Sequence, residues 1–239
     1  VLFGLFGAGG SLIAIPILMF FFDLSFKVST TYSLIIVFLV SFLGLASSPN
    51  AIIYKFKSVL FFGFTSLLGV FFSRKFLFQI SSEDLLIKVF CSFLFISGVF
   101  MLYDKRFQFD ELKNKKTTYL NYIALMIQGL LIGTLTGLLG VGGGFLIVPV
   151  LIIFQKFNIK QAAKASMFLI FLNSFFSIVI DYSNNFFDLN PQLFIYILLF
   201  SIIGLLIGKK IQKLVDIKMM HRLFAFFLII ISLLVGFNM

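Results

Sequence analysis

Apolar residues run through this chain in blocks too long and too continuous for a water-soluble fold. Blocks at about 11–22, 29–46, 58–72, 85–103, 119–139, 145–155, 163–180, 192–208 and 219–237 are separated by short polar connections, and an apolar stub precedes Gly10. Leu85 to Tyr103 contains one lysine and no acid, and Leu223 to Met239 contains no charge. Runs of this length suit helices that cross a hydrocarbon core about 30 Å thick. The pattern predicts an all-α, polytopic integral membrane protein of ten helical elements. Two of them, 11–22 and 145–155, are short, about 16–20 Å at helical rise, so neither spans a bilayer comfortably alone. A helix that begins part-way through the bilayer leaves irregular backbone at depth, which is tolerated only where it is buried in protein or lines a cavity.

The two short elements follow the same motif. Gly4-Leu5-Phe6-Gly7-Ala8-Gly9-Gly10-Ser11, with Pro16 downstream, returns 133 residues later as Gly137-Leu138-Leu139-Gly140-Val141-Gly142-Gly143-Gly144, with Pro149 downstream. The register continues, so that Lys27, Ser33, Phe38, Ser41 and Phe42 fall on Lys160, Ser166, Phe171, Ser174 and Phe175. The chain therefore reads as a duplication. Residues 1–103 form the first membrane repeat, 104–118 a polar inter-repeat loop, and 119–239 the second repeat. A full apolar block precedes the second Gly motif but only Val1 to Phe3 precede the first, so the first repeat is expected to lack most of its opening helix.

Basic residues set the expected orientation. If all five elements of each copy cross, fifteen loop lysines and arginines share one side, among them Lys55, Lys113, Lys164, Lys209 and Arg222, and three (Lys27, Arg74 and Lys75) lie opposite. If the short elements are re-entrant, the partition falls to eleven against seven. The positive-inside bias favours the first arrangement, two halves in opposite orientation about a pseudo-two-fold axis in the membrane plane.

Composition adds little that this pattern does not explain. Hydrophobic residues make up 61% of the chain and charged residues 12%, with mean hydropathy +1.13. The net charge of +10 sits in short loops where topology accounts for it, so no nucleic-acid partner is expected. The lone Cys91 excludes an internal disulfide framework. No residues have metal-ligand spacing, and no nucleophile, base and acid set is plausible at membrane depth, so neither a metal, a cofactor nor an enzyme activity is expected. No Asp, Glu or Arg is expected deep in a span, Lys88 can snorkel, and His221 reads as interfacial.

Candidate chemistry therefore rests on backbone and small polar side chains. Glycine clusters opening short helices leave free N–H groups at the positive end of a helix dipole, an anion site that needs no basic side chain. The candidates are Gly7, Gly9, Gly10 and Ser11 in the first copy and Gly140, Gly142, Gly143 and Gly144 in the second. Ser33 and Ser166, at equivalent positions on the following helices, and Asn173 are further candidate contacts to a small anionic substrate. The competing reading is a non-transporting membrane binding or assembly protein whose Gly motifs serve helix packing.

The doubled G-L-x-G-x-G-G-G-x-x-x-x-P-x-L signature, together with the Ser-containing helices after it and the paired segments Gly69 to Lys75 and Gly204 to Lys210, resembles the TauE/SafE sulfite exporter family over nearly the whole chain. Ser11 stands where the third glycine would be in the first copy. The resemblance implies a plasma-membrane permease for small sulfur-containing or carboxylate anions. Its substrate would lie between two half-helix N-termini, with alternating access by rocking of one half against the other.

Overall fold

The structure is a computed structural model that describes residues 11–46, 56–103, 119–155, 157, 159–184, 190–212 and 217–237. The first Gly motif through Gly10 and the inter-repeat loop 104–118 lie outside the described residues. Among the described residues the regular structure is helical: α1 (Ser11–Phe22), α2 (Phe26–Ala46), α3 (Phe56–Phe72), α4 (Glu83–Tyr103), α5 (Tyr119–Leu139), α6 (Gly144–Ile153), α7 (Ile159–Ser183), α8 (Pro191–Gln212) and α9 (Ile217–Phe237). Helix α3 continues without a break through a π-helical stretch, Ser73–Leu77, into a last α-turn, Phe78–Ile80. The expected apolar blocks thus correspond to observed helices, several of which run past the expected ends, α3 and α7 among them. Phe26–Ala46, Lys57–Ile80 and Gln161–Ser183 are long and apolar enough to cross a membrane. Large apolar side chains such as Phe21, Phe64, Ile96, Phe200 and Phe237 face outward, as on a surface solvated by lipid.

Contacts between helices fix their relative directions. Along α3 and α5, Phe62, Ser66 and Val70 meet Gly129, Gly133 and Gly137 in turn, so the two helices run parallel. The three glycines, four residues apart, form a small-residue stripe that lets the backbones touch. A Cβ on Gly133 would collide with the Ser66 carbonyl. Helix α7 is parallel to α3 as well, since Ser66 bonds Asn173 and Arg74 pairs with Asp181, each pair 107 residues apart. By contrast, Thr31 reaches Asp181 while Gly44, further along α2, abuts Met167. Helices α2 and α7 are therefore antiparallel. Helices α4 and α9 are antiparallel too, with Gly98 against Ala225 and Ser232 Oγ donating to the Cys91 carbonyl at 2.8 Å.

These directions determine the path of the short element. Because α5 and α7 both run the same way as α3, the chain between them must return, and α6 is the regular structure among its described residues. Ten residues of α6 cover about 15 Å, so irregular backbone before and after it supplies the remainder. Two apolar cores hold the bundle. One gathers α1, α4 and α9 around Leu12, Phe90 and Leu228; the other gathers α3, α5, α6 and α7 around Phe62, Leu125, Leu151 and Leu169.

Candidate functional site

The returning backbone at Gly140–Gly144 is the irregular segment that the short second element requires. Gly140 and Gly143 have φ of +63° and +72°, and Gly143 caps α6 in the left-handed conformation. A side chain at either would be strained whatever space surrounds it. The loop is also tightly enclosed. A Cβ on Gly140 would strike Thr30, one on Gly143 would strike Thr136, and one on Gly142 would strike Val37 on α2 and Ile170 on α7. Val37 and Ile170 stand near the middles of their helices, so the loop reaches the mid-height of the bundle and α6 starts inside it.

A polar seam continues from this loop along α7. One turn beyond Ile170, Asn173 Nδ2 donates to Ser66 Oγ at 2.7 Å, while Asn173 Oδ1 and the neighbouring Ser174 Oγ are buried with no hydrogen-bond partner. Ser177 Oγ donates to the Asn173 carbonyl at 2.8 Å. An orphaned polar atom at a buried position costs about 1–3 kcal/mol.

The seam ends in an ion pair. Arg74 and Asp181 are both 0% exposed, and the guanidinium Nε and Nη2 donate to Oδ1 and Oδ2 of the carboxylate, each at 2.5 Å. Arg74 Nη1 donates to the Gly137 carbonyl at 3.1 Å, and Nη2 also reaches Thr30 and Thr31 Oγ1 at 3.2 and 3.3 Å. Thr31 Oγ1 donates to Asp181 Oδ2 at 2.9 Å. The Phe78 ring covers the guanidinium 3.8 Å from its centroid. Four helices thus converge on one cation within a turn or two of an end of the bundle, and Thr30 links it directly to Gly140.

This corrects the expected placement of the charges that follow these apolar blocks. Arg74 was expected in an outward loop and Asp181 falls just past the expected block 163–180, but α3 extends past Phe72 and α7 past Ile180, which carries both charges into helix and bundle interior. Of the other expected contacts, Gly140, Gly142, Gly143 and Gly144 are gathered in the buried loop, and Asn173 lies one turn from it. Ser11 opens α1, while Gly7, Gly9 and Gly10 are outside the described residues. Ser33 is buried on α2, and Ser166 Oγ donates to its own helix at Ala163 O, 2.9 Å away. The antiparallel register sets Ser33 and Ser166 roughly 15–20 Å apart along the α2–α7 interface, too far to grip one small ligand. Equivalent residues approach each other only near the centre of that interface, where Phe38 stacks on Phe171.

Comparison with known proteins agrees with this architecture. A probable membrane transporter protein of Methanocaldococcus jannaschii is 30% identical over 181 residues, covering 73% of this chain and 65% of the relative, just under two thirds of its length. The probable membrane transporter protein YunE of Bacillus subtilis is 32% identical over 197 residues, covering 71% and 69%. One from Haemophilus influenzae is 26% identical over 252 residues, covering 96% and 91%. No solved structure matches. Residues 1–235 match the family described as sulfite exporter TauE/SafE. With its apolar helices, returning half-helix and buried polar seam, the chain belongs to the TauE/SafE family of multi-pass membrane transporters.

Proposed function

We propose that this chain is a secondary transporter, acting as an exporter in the plasma membrane, for a small anion such as sulfite, an organosulfonate or a small carboxylate. The observation that carries the reading is the Gly140–Gly144 loop. It turns back at the mid-height of the bundle and presents the N-terminus of α6 within about a turn of Ser174, whose buried hydroxyl is an unpartnered donor. Backbone N–H groups and a helix dipole favour an anion without a cation of their own. Family membership supports transport, and the antiparallel pairing of α2 with α7 and of α4 with α9 supports two halves of opposite orientation, the geometry of many alternating-access carriers.

Close contacts of Gly140, Gly142 and Gly143 with Thr30, Val37, Ile170 and Thr136 favour a second reading, in which the glycines serve helix packing. Counterflow separates the two. Liposomes loaded with unlabelled sulfite, sulfoacetate or acetate should accumulate the labelled anion only when they contain the protein. Absence of counterflow with every anion tested, from protein that remains folded, would leave the packing role alone.

A further inference from the structure

The ion pair at the end of the polar seam has a geometry that invites exchange. We propose that Arg74 is the cationic station at which the transported anion is received, and that Asp181 is a built-in counter-ion that the anion displaces. This rests on the anion-transport reading above.

Arg74 is held independently of Asp181. The Gly137 carbonyl, the hydroxyls of Thr30 and Thr31, and the face of Phe78 fix the guanidinium from α5, α2 and the end of α3. If the carboxylate withdraws, those contacts remain, and Nε–H with one Nη2–H are left as two parallel donors. A planar fork of this kind accepts two oxygens of a sulfite, sulfonate or carboxylate in the same bidentate manner. The threonines complete the match, because Thr31 Oγ1 now donates to Asp181 Oδ2 at 2.9 Å and can turn the same hydroxyl to an incoming oxygen.

Position agrees with chemistry. Thr30, which accepts from Arg74, is also the residue against Gly140, so an anion seated on Arg74 is one side chain from the Gly loop. The arginine falls in the π-helical stretch Ser73–Leu77, a local widening that turns Arg74 inward while Lys75 stays exposed. Such single-turn π segments are frequent at functional sites. Lys27 is the other described cation near Phe78, 5.6 Å from its ring, and is only partly buried. A purely structural ion pair is the alternative, since buried pairs often contribute little net stability.

The test uses the full chain in detergent, with radiolabelled sulfite and sulfoacetate binding and thermal unfolding as readouts. Asp181→Asn leaves Arg74 in place without its counter-ion. It should bind either anion about tenfold more tightly than wild type, and added anion should raise its Tm by more. Arg74→Gln combined with Asp181→Asn removes both charges and keeps hydrogen-bonding side chains. That variant should fold yet lose at least about 30-fold in anion affinity. An unchanged affinity in the double variant overturns the proposal, as does an Asp181→Asn protein that binds no better than wild type or unfolds whatever anion is added. A wild-type protein that answers to neither anion and gives no counterflow with any anion overturns the transport reading itself, and a responsive wild type with an equally responsive double variant removes Arg74 alone.

Discussion

Phe38 and Phe171, which fall on each other in the 133-residue register of the sequence, stack with ring centroids 5.0 Å apart and planes inclined by 22°. Around them the contacts come in mirrored pairs. Phe38 meets Phe175 at 5.8 Å and Phe42 meets Phe171 at 6.0 Å, both at 32°. Gly98 against Ala225 and Cys91 against Ser232 repeat the relation on α4 and α9. Mirrored contacts of this kind are those that an inverted duplication with its axis between Phe38 and Phe171 would give.

Opposed halves predict a labelling pattern. In a Cys91→Ser background, single cysteines at Lys55 and Lys113 should react with a membrane-impermeant thiol reagent only from the cytoplasmic side. Cysteines at Lys27 and Asp188 should react only from outside. Reaction of positions 27 and 113 from the same side is incompatible with the axis.

Enclosure of Gly142 predicts a steric phenotype with a specific remedy. Gly142→Ala places a methyl group against Val37 and Ile170 and should cost about 1–3 kcal/mol of stability. Adding Val37→Ala should recover part of that loss in detergent unfolding. If the second substitution makes matters worse, the loop is not seated between α2 and α7.

Ser174 offers a separation of fold from function. Its hydroxyl is buried and unpartnered, so Ser174→Ala should leave stability unchanged or raise it by about 1 kcal/mol. If the seam serves the substrate, the same variant should slow transport several-fold. A parallel rise in stability and undiminished counterflow would assign the seam to structure.

Ser33 and Ser166 should behave as independent sites. Their separation along α2 and α7 predicts that Ser33→Ala and Ser166→Ala affect anion affinity additively, within about 0.3–0.5 kcal/mol. Strong coupling between them in a double-mutant cycle would contradict the register described above.

Much of this was legible in the chain. Apolar blocks mark the helices because a bilayer-crossing helix must be apolar over its length, and the second Gly motif marks the returning backbone because glycine adopts φ of +63° and +72° without the strain a side chain would add. Arg74 was not legible, because an apolar scan stops at the first charge. Its neutralising partner lies 107 residues away, and nothing local shows that they meet. The one available signal was the apolar Phe76-Leu77-Phe78 after Arg74-Lys75, which continues the helix through the charges. The misplaced expectation for Ser33 and Ser166 has a different origin. Sequence equivalence under an axis perpendicular to the helices brings together only residues near the axis and drives others apart.

The glycine stripe on α5 has a mechanical consequence. Gly129, Gly133 and Gly137 seat the first described helix of the second repeat directly on the backbone of α3, which belongs to the first repeat. Both helices share an apolar core with α6 and α7, while α1, α4 and α9 build another that Phe26, Phe78 and Leu139 join from the ends of α2, the α3 continuation and α5. A motion dividing the molecule at residues 104–118 would have to separate backbones already in contact. The described helices on either side of residues 104–118 are therefore interlocked along the α3–α5 seam and cannot part as two bodies without breaking it.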